Sequence, residues 1–409
     1  MSPVTLAIVG AGSRGSGYAR WAAGHPDRAQ VVAVADPRPD ALPGVAAGAR
    51  FGSWEELARA GRLADAAIIA TPDREHVGPT EALAAQGYHI MLEKPLAPTA
   101  EGCERVVAAV LEAGVLFAVA HVMRYTRYTE LIKDVVASGE LGDLVSVQHL
   151  EPVGYWHQAH SYVRGNWRSE EASSSMLLAK SCHDVDWLRY VMDRPIARVS
   201  SFGSLTHFRP ENRPEGAADR CLDCGVSAGC PYAADRIYLR LQNQRGHGWP
   251  MNVLTPEPDD GSILRALRTG PYGECVYLGR NDVVDHQVVS LEFEGGATGS
   301  LTMTGFVKGG HRRTRLFGTR GSLEGDGERA EVFDFVSERT RVAEAAPAGD
   351  ATVAGGHGGG DAALMDAFVT AVATGDATRI RSGALESLET HLAVFAAERA
   401  RRAGSVVTV

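Results

Sequence analysis

Cysteine is scarce in this chain, basic charge is outnumbered, and no apolar run is long enough to cross a membrane. Six cysteines in 409 residues do not make a disulfide scaffold. Lysine and arginine total 41 against 50 acidic residues, a net charge of -9. That excludes a protein whose whole surface binds polyanions, and with it a nucleic-acid partner, while leaving room for a local basic pocket. The longest apolar stretch, "VVAAVLEAGVLFAVAHVM", is broken by Glu112 and Gly114 and reads as helix, turn and strand. No internal repeat is visible. "MSPVTLAIVGAG" enters a structured motif at once rather than a secretory pattern, so the expected location is cytoplasmic, with no membrane partner.

The composition is that of a globular protein, 44% hydrophobic and 22% charged. A chain of this length exceeds one hydrophobic core, so two domains are expected. Residues 1–122 alternate strand and helix. "VTLAIVG", "AQVVAVAD", "DAAIIATP", "YHIMLEKP" and "VLFAVAHV" read as buried strands, with helical stretches such as "SWEELARAG" and "TAEGCERVVAAVLEAG" between them. That alternation predicts a doubly wound parallel sheet. From about 123 to 409 the pattern changes. "TELIKDVVASGELG" and "SSMLLAKSCHDVDWLRYVM" have helical spacing, whereas "VVDHQVVSLEFEG", "ATGSLTMTGF" and "TRLFGTRGSLEGD" alternate with period two. A second α/β domain with an antiparallel sheet is the expectation. It is interrupted at about 207–275 by a cysteine-bearing insertion.

"GAGSRG" places Gly10, Gly12 and Gly15 in G-x-G-x-x-G spacing, after a strand and opening a helix. Asp36 ends the second strand at the distance a dinucleotide fingerprint requires. Gly10 allows the tight turn, Gly12 admits the pyrophosphate, and Gly15 lets helix and strand approach. Ser13 and Arg14 open the helix whose N-terminus favours phosphate charge. Asp36 suits the ribose diol of NAD and would repel the extra phosphate of NADP; Arg38 beside it pulls the other way. Thr71, Pro72 and His76 in "TPDREHV", and Glu93 and Lys94 in "EKP", follow the third and fourth strands. Carboxyl ends of strands are where open α/β sheets bind ligands.

These motifs, with "GELGDLVSV" and "FGTRGSLEGDG" further on, resemble the Gfo/Idh/MocA family, named for glucose–fructose oxidoreductase and inositol dehydrogenase. The resemblance spans nearly the whole chain. It implies an N-terminal Rossmann doubly wound parallel sheet and a C-terminal α/β domain with an open, mainly antiparallel sheet. It also implies NAD(P), a small-molecule carbohydrate or cyclitol substrate, a homo-oligomer, and a role for Lys94 near nicotinamide and substrate.

Members of that family commonly carry an aspartate four residues before a histidine. In "AKSCHDVD" the histidine is His183, but the aspartate position is Ala179, with Lys180 next to it. Helical spacing puts Lys180 and His183 on one face and Asp184 four residues from Lys180. Catalysis is therefore assigned to Lys94, His183 and Lys180, with His183 as acid/base. Asp186 and Cys182 are read as core. Upstream, "EPVGYWHQAHSYVRGNWRSEE" interleaves basic and aromatic residues with no carboxylate from Pro152 to Ser169. Aromatic faces and forked donors suit a sugar carrying an anionic group. Tyr155, His157, His160, Arg164 and Trp167 are the expected substrate contacts, together with Arg124. "NDVVDHQ" (Asp282, Asp285, His286) and "GGHGGGD" (His357, Asp361) read equally well as site or scaffold.

"RCLDCGVSAGC" spaces Cys221, Cys224 and Cys230 as C-x-x-C-x5-C. Three such cysteines predict a structural zinc, with Cys275 as fourth ligand and Cys182 or His207 behind it, stapling an insertion with little core of its own. An iron–sulfur cluster is the other metal this spacing could serve.

The expected activity is NAD-dependent hydride transfer at a carbinol carbon, C3, of a sugar or cyclitol derivative, an anionic one. The alternative is a redox-neutral, NAD-dependent glycoside hydrolase that oxidises C3 transiently. A ligand sensor without catalysis is the third reading, opposed by Lys94 and His183.

Overall fold

The computed structural model describes residues 2–38, 42, 44–45, 49–346 and 358–409. His357 lies outside them. The first sheet comprises β1 (Val4–Val9), β2 (Ala29–Ala35), β3 (Arg50–Phe51), β4 (Ala66–Ile69), β5 (His89–Leu92) and β6 (Phe117–Val119). Its order is β3-β2-β1-β4-β5-β6, all parallel. The strands are continuous apolar runs because helices cover both faces. The order reverses beside β1, so the carboxyl ends of β1 and β4 open a crevice there.

Local chemistry sets the helices. Ser53 accepts from the Glu56 N–H and caps helix Trp54–Arg59, while the Glu56 carboxylate reaches back to the Gly52 N–H. Thr99 caps helix Ala100–Glu112, which stops before Gly114 at φ 63°. That glycine turn divides the longest apolar stretch between a helix and β6. Among the described residues no helix is long and apolar enough to cross a membrane.

The second sheet holds β7 (Leu144–Pro152), β8 (Ile196–Ser204), β9 (His286–Phe293), β10 (Thr298–Thr304), β11 (Arg313–Gly318), β12 (Gly321–Gly325), β13 (Arg329–Asp334), β14 (Arg339–Glu344) and β15 (Val407–Thr408). Its order is β14-β13-β12-β11-β7-β10-β9-β8-β15, antiparallel except where β7 meets β10. One face buries Val147, Val199, Val289, Leu301 and Leu316 against helix Cys182–Met192 and helix Ala384–Ala403. The other leaves Phe202, Val288 and Val342 exposed.

Two late helices return to these layers, one to the first sheet alone and one to both. Helix Gly360–Thr374 returns to the first sheet and buries Leu364, Met365 and Phe368 beside Leu6 and Ile8. Each such side chain contributes roughly 1.5–3 kcal/mol. Helix Ala384–Ala403 packs on both helix Ala100–Glu112 and β8. His391 on it accepts a hydrogen bond from the Leu96 N–H at 3.0 Å, just after Lys94.

The insertion folds on a core of its own, contrary to expectation. Cys221, Ala234, Ile237, Tyr238, Leu241, Met251, Ile263 and Leu267 are buried together. Helix Ala234–Arg245 and helix Asp260–Thr269 supply most of this cluster, the second capped by Asp259.

Candidate active site

The crevice at the end of the first sheet is a cleft of about 1000 Å³. Gly10, Gly12, Ser13, Arg14, Asp36, Thr71, Pro72, Glu93 and Lys94 all line it. A Cβ at Gly10 would stand 2.7 Å from the Ala70 carbonyl oxygen, and one at Gly15 would overlap Gly10 at 2.0 Å. A Cβ at Gly12 would meet nothing within 4 Å, because it faces the cleft. Gly12 is also the N-cap of helix Ser13–Gly24 and offers no side-chain cap, so the first N–H groups face an open site. This cradle fits a dinucleotide pyrophosphate.

Asp36 stands at the end of β2. Its Oδ2 accepts from the Ala11 N–H at 2.8 Å, and both oxygens take the forked donors of Arg38. Burial opposes the carboxylate, but the Arg38 and backbone donors outweigh it and hold its pKa below the ordinary value. Arg14 does more than open the helix. It donates to Glu93 at 2.6 Å and to Asp361, and so ties the glycine loop to β5 and to helix Gly360–Thr374. Burial alone would raise the Glu93 pKa; the Arg14 guanidinium reverses this and keeps it ionised. His76 differs from expectation. It is buried, bridges the carbonyls of Pro95 and Thr71, and lies behind the cleft wall. Gly15 likewise supports the cleft through packing.

The second sheet's helices bring Lys180 and His183 to the same cleft as Lys94. Lys94, Lys180 and His183 line it together with His157, Tyr162, Asn166, Trp167 and Trp249. Lys94 Nζ donates to the Ala179 carbonyl at 2.6 Å. Lys180 does not pair with Asp184 as regular helical spacing predicts. Residues Leu177–Ser181 form a π turn, whose wider winding takes four-residue neighbours out of line. Lys180 instead pairs with Glu151 at 3.3 Å, and Asp184 is buried between His149 and Arg312. Asp186 accepts a bidentate bond from Arg124, and Cys182 is buried in the core.

Beyond this junction the cleft opens into a chamber of about 900 Å³. Tyr155, His157, His160 and Trp167 line it. Burial, then Lys180, His160 and Arg245, hold the His157 pKa well below the ordinary histidine range, so its imidazole is neutral at pH 7. Burial and Arg164 push His160 down to about 3. His160 shares a hydrogen bond with the Tyr238 hydroxyl at 2.8 Å and stacks on Tyr272. The chamber also takes Arg240, Arg245, Trp249 and Tyr272 from the insertion and Lys308 and Arg312 from beyond β10. Sequence reading passed over Arg240, Arg245 and Trp249 because "RLQNQRGHGWP" has no motif spacing; only its basic and aromatic content distinguishes it.

Two expected substrate contacts are scaffold. Arg124 is fully buried, bound to Asp186 at 2.8 Å and to Glu386, and lines neither cleft nor chamber. Arg164 is buried and donates to the carbonyls of Glu274 and Tyr232 and to Cys221 Sγ, pinning the insertion to residues Gln158–Arg164. Asp285 is scaffold too, accepting from the Thr206 and His207 N–H groups.

The zinc expectation is corrected. Cys221, Cys224, Cys230 and Cys275 line one cavity, but it measures only about 20 Å³ and its other walls include Ala217, Val226 and Val276. Among the described residues no group of three or more His, Cys, Asp or Glu is gathered closely enough to hold a metal ion. The insertion's apolar cluster and Arg164 do the stapling assigned to the metal.

A Rossmann cleft that carries a lysine and a histidine at its mouth, opening under a largely antiparallel sheet, defines a class of two-domain dinucleotide-dependent oxidoreductases. The chain matches the oxidoreductase family described as having an NAD-binding Rossmann fold over residues 4–121, and that family's C-terminal α/β domain over 133–409. It belongs to the Gfo/Idh/MocA family. The oxidoreductase YteT of Bacillus subtilis is 24% identical over 77% of this chain and 74% of its own length. The 2,7-anhydro-N-acetylneuraminate hydratase of Escherichia coli is 26% identical over 51% of this chain, and the match spans 55% of that protein. A levoglucosan dehydrogenase solved with NADH and L-sorbose superposes with a TM-score of 0.71 at 19% identity, covering 100% of this chain and 99% of its own. This last likeness is one of fold.

Proposed function

We propose that the protein is an NAD-dependent oxidoreductase acting by hydride transfer at a carbinol carbon, C3, of an anionic sugar or cyclitol derivative. The observation that carries this reading is the shared cleft. Lys94, Lys180 and His183 sit where the dinucleotide cleft runs into a chamber walled by Tyr155, Trp167 and Trp249. Bound NAD supplies the hydride acceptor. His183 takes the proton of the reacting hydroxyl, and Lys94, fixed by the Ala179 carbonyl, orients that hydroxyl. Aromatic rings hold the sugar's C–H faces. The charge of the chamber supports an anionic substrate. Glu151 and Asp184 neutralise Lys180 and Arg312, whereas Arg240, Arg245 and Lys308 have no carboxylate partner among the described residues. Asp36 at the ribose end favours NAD over NADP. The exposed apolar side chains on the second sheet support a homo-oligomer, and the reading places the enzyme in the cytoplasm.

Redox-neutral glycoside hydrolysis is the second reading, favoured by one observation. His157 is held neutral beside Lys180 and His160, and a neutral imidazole can remove a second proton. Oxidation at C3 acidifies the C2–H; His157 takes that proton as the aglycone leaves C1. Water then adds at C1, the proton returns to C2, and the hydride returns to C3. The relationship to an anhydro-sugar hydratase is in keeping with such chemistry.

The experiment is a screen of neutral and acidic sugars and their aryl glycosides, deuterated at C3, with NADH, aglycone and label followed together. NADH accumulation supports the dehydrogenase. Aglycone release without net NADH supports the hydrolase. Absence of NADH, aglycone and label transfer across the whole panel rejects both.

A further inference from the structure

Helix Ala234–Arg245 belongs to the cysteine-bearing insertion, yet it walls the substrate chamber with Arg240, Leu241 and Arg245. Arg240 Nη1 donates to the Tyr155 hydroxyl at 2.7 Å. Its Nε is buried and has no hydrogen-bond partner, and no ion pair neutralises it among the described residues. A buried N–H left without an acceptor costs about 1–3 kcal/mol, more when the group is charged. The place of Arg240 on the chamber wall leaves the rest of its guanidinium open to an anionic ligand from the chamber. Arg245 lies over the Trp156 ring at 4.8 Å, which orients a second guanidinium on the same wall. Neither arginine lines the dinucleotide cleft, so both face the part of the chamber beyond Lys94 and His183.

We propose that the inserted helix is the specificity element of this enzyme, with Arg240, oriented by Tyr155, binding the anionic substituent of the sugar and Arg245 flanking it. The guanidinium fork matches the oxygens of a carboxylate, sulfonate or phosphate. The insertion then serves to deliver this fork, and Arg164 and the apolar cluster serve to hold the helix at the right depth. This inference rests on the anionic-substrate reading given above.

Calorimetric titration of the NAD-loaded protein with sodium acetate, methanesulfonate and inorganic phosphate tests it, using wild type, Arg240→Met, Arg240→Lys and Arg245→Met. At least one anion binds wild type saturably. Arg240→Met weakens it by about 30-fold or more, and Arg240→Lys and Arg245→Met by roughly 3- to 10-fold, with NAD affinity unchanged. The anion that binds identifies the substituent. Anion affinity within twofold of wild type in Arg240→Met overturns the proposal but leaves the anionic-substrate reading standing. Binding of none of the three anions to wild type also overturns it. A wild-type preference for neutral over matched acidic sugars overturns the reading beneath it. Should Arg240→Met fail to fold, the lysine and Arg245 variants carry the same decision.

Discussion

Lys94 and Ala179 are joined across the two sheets by a single bond, from the lysine Nζ to the alanine carbonyl at 2.6 Å. The family resemblance leads to an expected aspartate where Ala179 stands; in this chain the backbone supplies an acceptor. Lys94 follows β5, and Ala179 sits in the π turn that leads to His183. The bond thus couples the position of the lysine to that of the proposed acid/base. Lys94→Met should lower kcat by about 10²–10⁴-fold, the usual range for a positioned proton-handling group. NAD affinity should stay within a few-fold. Steady-state turnover and NAD titration check both, and near wild-type kcat would remove Lys94 from the mechanism.

Asp36 and Arg38 set cofactor choice between them. The carboxylate is engaged by Arg38 and by the Ala11 N–H, and it stands where a ribose diol would bind. Asp36→Ala removes the acceptor and releases Arg38. Loss of a charge-assisted hydrogen bond, roughly 1.5–3 kcal/mol, should raise the KM for NAD by about tenfold or more. The freed guanidinium should lower the KM for NADP. Kinetics with both cofactors decide; an unchanged NAD/NADP ratio would count against Asp36 as the discriminator.

His391 should make stability fall with acid. Its Nδ1 donates to the Ser387 carbonyl at 2.7 Å, and its Nε2 accepts from Leu96. The Nε2 acceptor bond requires the neutral ring, whereas the Nδ1 donor bond is open to either form. Burial pushes its pKa down to about 4. The unfolded chain takes up this proton near pH 6.5. Between those values the unfolded state holds more protons, so folding weakens as pH falls, by up to about 1.4 kcal/mol per pH unit. Above pH 7 the group contributes no pH dependence. Urea unfolding at about pH 7, 6 and 5 should show a shallower decline for His391→Gln than for wild type.

The Rossmann half was legible because its signals are local. Glycine spacing, an acidic residue ending β2 and strands bounded by turns each act within a few residues. His183 and Lys180 were legible as cleft residues, but not Lys180's partner, because a π turn leaves no mark in residue spacing. Arg124 and Arg164 were misassigned for a related reason. An arginine amid aromatics looks the same in sequence whether its acceptor is a ligand or a carboxylate 62 positions away. The cysteines misled because spacing reports potential ligands, while ligation requires sulfurs brought to one point. Arg240 and Trp249 went unseen because they reach the chamber only through the tertiary fold of the insertion.

The Arg124–Asp186 pair gives a direct way to separate scaffold from site. Both side chains are fully buried, and Asp186 also faces His121 at 3.6 Å. Removing one partner strands the other charge in the interior, which costs about 3–5 kcal/mol. Arg124→Met should therefore lower stability by that amount in urea unfolding, while the KM for substrate, measured well below the unfolding range, stays within about threefold of wild type, since no contact with the chamber is lost. Replacing both partners, as in Arg124→Met with Asp186→Leu, should recover most of the loss, because an apolar pair of similar volume has no buried charge to satisfy. A substrate-binding arginine would behave otherwise. Its loss would raise KM while leaving stability nearly unchanged, and the second substitution would restore nothing.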